Sequence, residues 1–321
     1  MKKNNDIKTR WMTILLILFL FYAGGCSKSE PKILLAKIDD KNIYADELVQ
    51  EISDSAADFN TIEFTKPVAI QILNQIIDGY IILSEARKAG FTEDLRIKKS
   101  LAKIRNVVYY REAVDHFVTL YDHARPTARQ AIEFGESQNL LREYGFILND
   151  AVIKEAYTQL KQHKDLDDAY VNTTVVAEFN GGKIFLIDVA DNNEKIGTLP
   201  EFQEYIFSVA RKKVFAVYAI KNNLHRKQNV IEKISQEQRD YVAEKFELVQ
   251  LNQFLRSQNK KRINISNETR GDLLGTMAKY ESDAWKIYRK NWVENLRQEH
   301  KIMMSEKGMQ AVLRMMKQRR A

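Results

Sequence analysis

The sequence predicts a mainly helical protein with small β-hairpins, arranged as two related lobes. Three observations carry this prediction. Apolar residues recur at i, i+3, i+4 and i+7 over long stretches, the stripe of a packed helix. A short strand-turn-strand pattern occurs twice. The helices that follow the two hairpins begin and end with matching signals.

The chain opens on a different kind of segment. Lys2, Lys3, Lys8 and Arg10 make a positive start. The apolar run from Trp11 to Tyr22, broken only by Thr13, has the roughly 7–15-residue length of a signal core and falls short of the ~20 residues that span a bilayer. Ala23, Gly24 and Gly25 precede Cys26, the single cysteine of the chain. Ala-Gly-Gly-Cys resembles the bacterial lipobox, although the usual leucine three residues before the cysteine is here Ala23. The expectation is a signal peptide over 1–25, lipidation at Cys26 and a polar tether over 26–32. With one cysteine, no disulfide framework is available, and stability must come from packing.

The first lobe is expected over 33–125. Residues 33–38 read as a strand, 39–42 as a turn and Ile43-Tyr44 as a returning strand, with a helix from about Asp46 and a loop over 56–64. Thr65 is the N-cap candidate of the next helix, and Pro67 is tolerated in its first turn. Ala69, Ile72, Leu73, Ile76, Ile77, Tyr80 and Leu83 form its stripe, and Gly90 stops it. Thr92 starts a long helix lined by Ile97, Leu101, Ile104 and Val108. It continues through Val114, Phe117 and Tyr121 towards Pro126.

A connector follows over 126–175, containing a short buried piece at Leu141, Tyr144, Phe146 and Ile147, a helix over 152–160 and a polar turn. The second lobe is expected over 176–304. Ala177-Glu-Phe-Asn-Gly-Gly-Lys-Ile-Phe185 aligns without a gap on Ala36-Lys-Ile-Asp-Asp-Lys-Asn-Ile-Tyr44, with the stronger turn signal in the later copy. Thr198-Leu199-Pro200 corresponds to Thr65-Lys66-Pro67, Ala219 to Ala86, and Asn223-Leu224 to Gly90-Phe91. Gly and Asn are the residues that best accept a left-handed helix stop. Val230 and Ile234 take the places of Ile97 and Leu101. A helix over 237–258, an extended stretch over 260–269, helices over 268–282 and 283–299 and a closing strand at Ile302–Met304 complete the lobe. Residues 305–321 form a basic amphipathic tail that can lie on an anionic membrane or dock on the protein's own helices.

The formal net charge of +7 comes from interleaved charges of both signs, the pattern of a solvated helical surface. It does not point to nucleic acid. No nucleophile elbow, Gly-rich phosphate loop or metal-ligand spacing occurs. His116 and His123 lack the i, i+4 spacing of a paired ligand. No catalytic residue, metal or cofactor is assigned. Tyr109, Tyr110, Phe117 and Tyr121 on the first lobe's long helix, and Met303 and Met304 near the end, are the candidate client-binding residues. Aromatic side chains and adaptable methionines suit a promiscuous apolar surface.

Several of these stretches resemble a known family. The order is lipobox, hairpin, Ser84-Glu-Ala-Arg-Lys-Ala-Gly90 and Phe91-Thr-Glu-Asp94, then a long helix. It is similar to the N-terminal chaperone domain of SurA/PrsA-type periplasmic parvulin proteins. Ile263-Asn-Ile-Ser-Asn-Glu-Thr269 and Trp292-Val-Glu-Asn-Leu-Arg-Gln-Glu-His-Lys-Ile302 resemble two further stretches of that family. The resemblance implies a helical cradle for unfolded or partly folded exported polypeptides, held at the periplasmic side of the envelope by its lipid. The outer membrane is favoured, because Ser27 replaces the aspartate that retains some lipoproteins in the inner membrane. The family's isomerase domain has His-containing strands at both ends. None of His116, His123, His163, His225 and His300 sits in such a strand, so that domain is expected to be missing. A prolyl isomerase with a degenerate or unrecognised site, and a structural accessory lipoprotein of an envelope or polysaccharide-export assembly, are the alternatives.

Overall fold

The computed structural model describes residues 32–54, 65–121, 128–162, 166–190, 197–260 and 282–320. The expected leader, Cys26 and the tether up to residue 31 lie outside the described residues. So do the loop expected at 56–64, His123, His163, and the extended stretch and helix expected within 261–281.

The protein is mainly helical with small antiparallel sheets. In chain order the elements are β1 (Leu34–Ile38), β2 (Lys41–Tyr44), α1 (Ala45–Asp54), α2 (Lys66–Lys88) and α3 (Leu95–Leu120). Then come α4 (Ala128–Glu143), β3 (Ile147–Leu148), α5 (Asp150–Gln162), α6 (Asp168–Thr173), β4 (Val175–Phe179), β5 (Gly182–Phe185) and α7 (Ile187–Ala190). They are followed by α8 (Leu199–Lys221), α9 (Gln228–Ser257), α10 (Asp283–Gln298), β6 (Ile302–Met304) and α11 (Glu306–Arg320).

The two hairpins are the same object. In the first, Leu34 pairs with Tyr44, Ala36 with Ile43 and Ile38 with Lys41, with an irregularity between Leu34 and Ala36. In the second, Val175 pairs with Phe185, Ala177 with Ile184 and Phe179 with Gly182, with the irregularity between Val175 and Ala177. The helices α2 and α8 each run 23 residues. Each stops at a left-handed residue, Gly90 at φ 69° and Asn223 at φ 59°. A single 3₁₀ turn follows each stop, at Phe91–Glu93 and Leu224–Arg226. The N-terminus of α8 carries a complete capping box. The Thr198 hydroxyl accepts from the Glu201 N–H, and the Glu201 carboxylate accepts from the Thr198 N–H.

Several elements differ from the sequence expectation: α6 and α7 lie outside the expected elements, and Ile147, expected in a buried piece, is 63 % exposed. The connector holds a helix, α4, before its short strand. Only Ser137, Leu140 and Leu141 of that helix are buried, so it displays no full apolar stripe. α9 runs unbroken for 30 residues, without the join expected at Glu237.

The chain forms two compact units, one made from Met1–Ile77 and Arg297–Ala321, the other from Asp78–Leu296. In the first unit β6 joins the hairpin in the order β2-β1-β6. α11 packs on α1 and β1. Its Met309, Ala311 and Val312 are buried, as are Leu35, Ile43, Leu48, Ile52, Leu73 and Ile77. So the basic tail docks its apolar stripe inside its own unit. Gly308 makes the approach possible: a Cβ there would meet the Leu34 carbonyl oxygen at 2.3 Å and Leu35 Cα at 2.7 Å.

The second unit has two clusters. In one, Phe202, Ile206, Val214 and Phe215 of α8 meet Ala113, Val114 and Phe117 of α3, Leu140 and Leu141 of α4, Ile153 of α5 and the inner face of the β5-β4-β3 sheet. In the other, Ile82, Leu83 and Ala86 at the end of α2 meet Val242, Phe246 and Leu251 of α9 and Trp285 and Val293 of α10. By length and composition α2 passes for a membrane-crossing helix. Its Ala69, Leu73, Ile76, Ile77, Ile81, Ile82, Leu83 and Ala86 are buried.

The two sequence-related segments exchange parts. α3, from the first, packs on α8 of the second. α9, from the second, packs on the end of α2 from the first. β3, which precedes the second hairpin, pairs with β4, while β6, at the end of the chain, returns to β1.

Candidate functional site

The β6 edge of the first sheet, on whose outer side no strand pairs among the described residues, is the candidate site. Its outer strand is Ile302-Met303-Met304, three consecutive apolar residues. Edge strands are usually protected by charge, proline or cover, because their unpaired backbone invites another strand. Here protection is absent from the strand itself.

The return of β6 is fixed by polar contacts at the hairpin turn. Asp39 sits at φ 49°. Its carboxylate accepts from the Lys301 N–H at 2.9 Å and pairs with His300 Nδ1 at 2.6 Å. The Asp39 N–H donates to the Lys301 carbonyl at 2.9 Å, and the Ser305 N–H to the Leu35 carbonyl at 2.8 Å. The register sets Ile38 opposite Ile302, Lys37 opposite Met303 and Ala36 opposite Met304. An antiparallel ladder alternates, so Met303 turns its N–H and C=O towards β1, while Ile302 and Met304 turn theirs outward.

Met303 is 48 % exposed and Met304 58 %. Met303 shares the outer face with Lys37 and, beyond it, Asn42. The Ser305 hydroxyl then accepts from the Gly308 N–H at 3.0 Å and caps α11, which ends the strand abruptly. The result is a short edge with outward backbone donors and acceptors beside two flexible apolar side chains.

The aromatic candidates belong to the other unit. Tyr109 lies edge-on to His225, with centroids 6.0 Å apart. Tyr110 lies edge-on to Phe215 at 5.6 Å and donates its hydroxyl hydrogen bond to Glu133. Burial, with that bond second, pushes the Tyr110 hydroxyl far up from its ordinary pKa. Phe117 is buried against Tyr218 at 4.6 Å. These three rings are occupied in packing. Tyr121 is 51 % exposed, with its hydroxyl donating to Glu136, and Leu120 beside it is exposed too. That bond is the main cause of the raised Tyr121 pKa.

Among the described residues no three His, Cys, Asp or Glu side chains gather as a cation site. Glu143 holds Lys221 at 3.5 Å, and His116 lies beside Phe117 and Tyr218. The outward backbone of Ile302 is the part of the edge that side-chain reasoning passed over. The signal for it is the unbroken apolar triplet between Lys301 and Ser305.

The chain matches no known family model, and no similar curated protein or solved structure was found.

Proposed function

We propose that this protein is a membrane-anchored chaperone of the periplasm that holds non-native exported polypeptides in extended form, without cofactor or covalent chemistry. The open β6 edge carries this reading. Outward N–H and C=O groups accept any extended backbone regardless of sequence. Methionines adapt to whatever side chains accompany it. That combination suits a binder of many unfolded clients better than a dedicated partner of one folded protein. The lipobox at Cys26 and the SurA/PrsA-type resemblance support the same reading. They also support an N-domain-like fold with the lipid in the outer membrane.

The test uses the mature chain from Ser27 at substoichiometric to equimolar ratios over an unfolded outer-membrane protein. The expected result is suppressed aggregation, weakened several-fold by Met303→Lys with Met304→Lys, and no turnover of a proline peptide. Both positions are exposed, so the variant should fold. Turnover of the proline peptide would favour an isomerase. Absence of suppression, with one stable folded partner recovered from the envelope, would favour the accessory-subunit reading. In cells, Cys26→Ala should abolish fatty-acid labelling and release the chain from membranes.

A further inference from the structure

We infer that the outward face of α11 is an electrostatic contact for the surface of an anionic phospholipid bilayer. The inference rests on the proposed lipid anchor, which brings that surface within reach. It starts from where the charge lies. Residues 301–321 hold six Lys and Arg against one acid, Glu306, whereas residues 26–300 hold 40 against 41. The positive excess of the chain after residue 25 therefore lies wholly in this closing stretch. Elsewhere the two signs interleave, as on a solvated helical surface.

The fold turns this charge outward. α11 buries its apolar stripe inside its own unit, at Met309, Ala311 and Val312. Lys307, Gln310, Arg314 and Lys317 are exposed, and their spacing of three, four and three residues sets them in one row along the opposite face. Glu306 is held by Lys66 at 2.7 Å, so it does not offset the row. Among the described residues Lys307, Arg314 and Lys317 have no carboxylate partner.

The helix itself does not account for the row. Its dipole favours cations in the last turn, where Lys317 stands, but opposes Lys307 in the first turn and does nothing for Arg314 in the middle. Arg314 and Lys317, three residues apart, also repel each other. Unpaired like charges in one exposed row are relieved by a negative surface outside the molecule.

The anchor supplies such a surface. Gly308 lies against the Leu34 carbonyl, so the start of α11 sits on the start of β1. Leu34 is eight residues from Cys26, roughly 28 Å of chain at full extension. With the lipid in place, α11 can therefore come within the ~8 Å over which an anionic surface acts at physiological salt. A second copy of the chain is a poor alternative, because it brings the same cations to the contact. With its apolar stripe already docked, α11 adsorbs without inserting. The contact keeps the β6 edge, whose Met304 is three residues from Lys307, beside the membrane.

The test is co-sedimentation of the mature chain from Ser27, which lacks the lipid, with vesicles at about 0.1 M salt. Mixed phosphatidylglycerol and phosphatidylcholine vesicles should bind it, and vesicles of phosphatidylcholine alone should not. Each Lys or Arg at an anionic surface strengthens binding about fivefold, so Lys307→Gln with Arg314→Gln and Lys317→Gln should weaken it about 100-fold. Gln matches Lys and Arg in helix propensity, so this variant should fold. A second variant, Lys154→Gln with Lys212→Gln and Lys286→Gln, removes the same charge from exposed helical positions of the other unit and should change binding less than about threefold. Equal losses in the two variants would make overall charge the cause and overturn the inference. So would equal binding to both kinds of vesicle, or binding to neither. Polyglutamate bound in preference to the mixed vesicles, and lost in the α11 variant, would make an acidic polypeptide the partner and overturn it. Failure to bind vesicles with suppression of aggregation intact would remove the inference and leave the proposed chaperone function standing. Vesicle binding without fatty-acid labelling at Cys26 would remove the anchor and leave the α11 contact standing.

Discussion

Replacing Gly308 with alanine and replacing Gly135 with alanine should change stability in opposite directions. Both glycines lie in helices without positive φ, and alanine is about 1 kcal/mol better than glycine in a helix interior. At Gly135 nothing lies within 4 Å of the position an alanine methyl would take, so the gain should appear almost whole, about 0.5–1 kcal/mol. At Gly308 the methyl would meet the Leu34 oxygen at 2.3 Å, Leu35 Cα at 2.7 Å and the Leu34 carbonyl carbon at 3.1 Å. All three are backbone atoms and cannot rotate aside. A tolerable carbon–oxygen contact is roughly 3.3 Å, so α11 must retreat by about 1 Å. That retreat lifts the buried Met309 and Val312 from their seats. Misfits of this size cost about 1–3 kcal/mol, which against a helix gain of about 0.5–1 kcal/mol leaves a net loss of up to about 2 kcal/mol. Unfolding of a chain with two units need not be two-state, so one denaturation midpoint would mix them. Amide exchange followed by mass spectrometry separates them, since each segment reports its own opening. Peptides covering 34–44 and 302–320 should exchange about tenfold faster in Gly308→Ala, and peptides covering 128–143 slower in Gly135→Ala. Unchanged or slower exchange over 302–320 in Gly308→Ala would refute the close approach of α11 to β1.

Two further outcomes follow from the second unit. Arg289 donates from Nε and Nη2 to the two Glu247 carboxylate oxygens at 2.8 and 2.7 Å, with the Glu247 side chain only 9 % exposed. Arg289→Ala strands that carboxylate and should cost about 2–3 kcal/mol, read from the fluorescence of Trp285 and Trp292 on the same helix during urea unfolding; a shift under about 0.5 kcal/mol would contradict it. Burial raises the pKa of Tyr110, Tyr144, Tyr170, Tyr218 and Tyr241. The unfolded chain loses these protons near the ordinary pKa of about 10, and the folded chain holds them longer, so this stability is complete below that pH and falls as pH rises beyond it. The phenolate of these five, out of the chain's fourteen tyrosines, should then appear only together with loss of helix, and ionisation of every tyrosine at about pH 10 with helix intact would count against the burial of these rings.

The hairpins, α2, α8 and their stops were legible because each leaves a local signature. Gly90 and Asn223 mark chain reversals that most residues resist, and Thr198-Leu-Pro repeats the Thr-x-Pro start of α2. β6 was legible as a closing strand because it is an apolar triplet between polar residues. β3 has only two residues, and α4 buries too few side chains to show a period. The assignment of parts to units could not be read, because α2 runs from one unit into the other and β6 returns across most of the chain. The aromatic candidates show a further limit. Tyr109, Tyr110 and Phe117 have the pattern of a binding stripe, but a ring that packs on its own fold and a ring kept for a ligand look alike in one sequence.

The pairing of β6 with β1 also imposes a timetable. Lys301 meets Asp39 across a separation of 262 residues. Whether the chain emerges from the ribosome or across a membrane, the first hairpin emerges well before its last strand. The second hairpin follows its own third strand from the start. A chain cut short before residue 302 would thus present a finished second sheet and a first sheet with β1 bare. Leu35, Ala36 and Ile38, all buried when β6 is in place, lie along that bare strand. A chain lacking residues 302–320 would therefore leave bare, on one side, the strand that β6 and α11 cover.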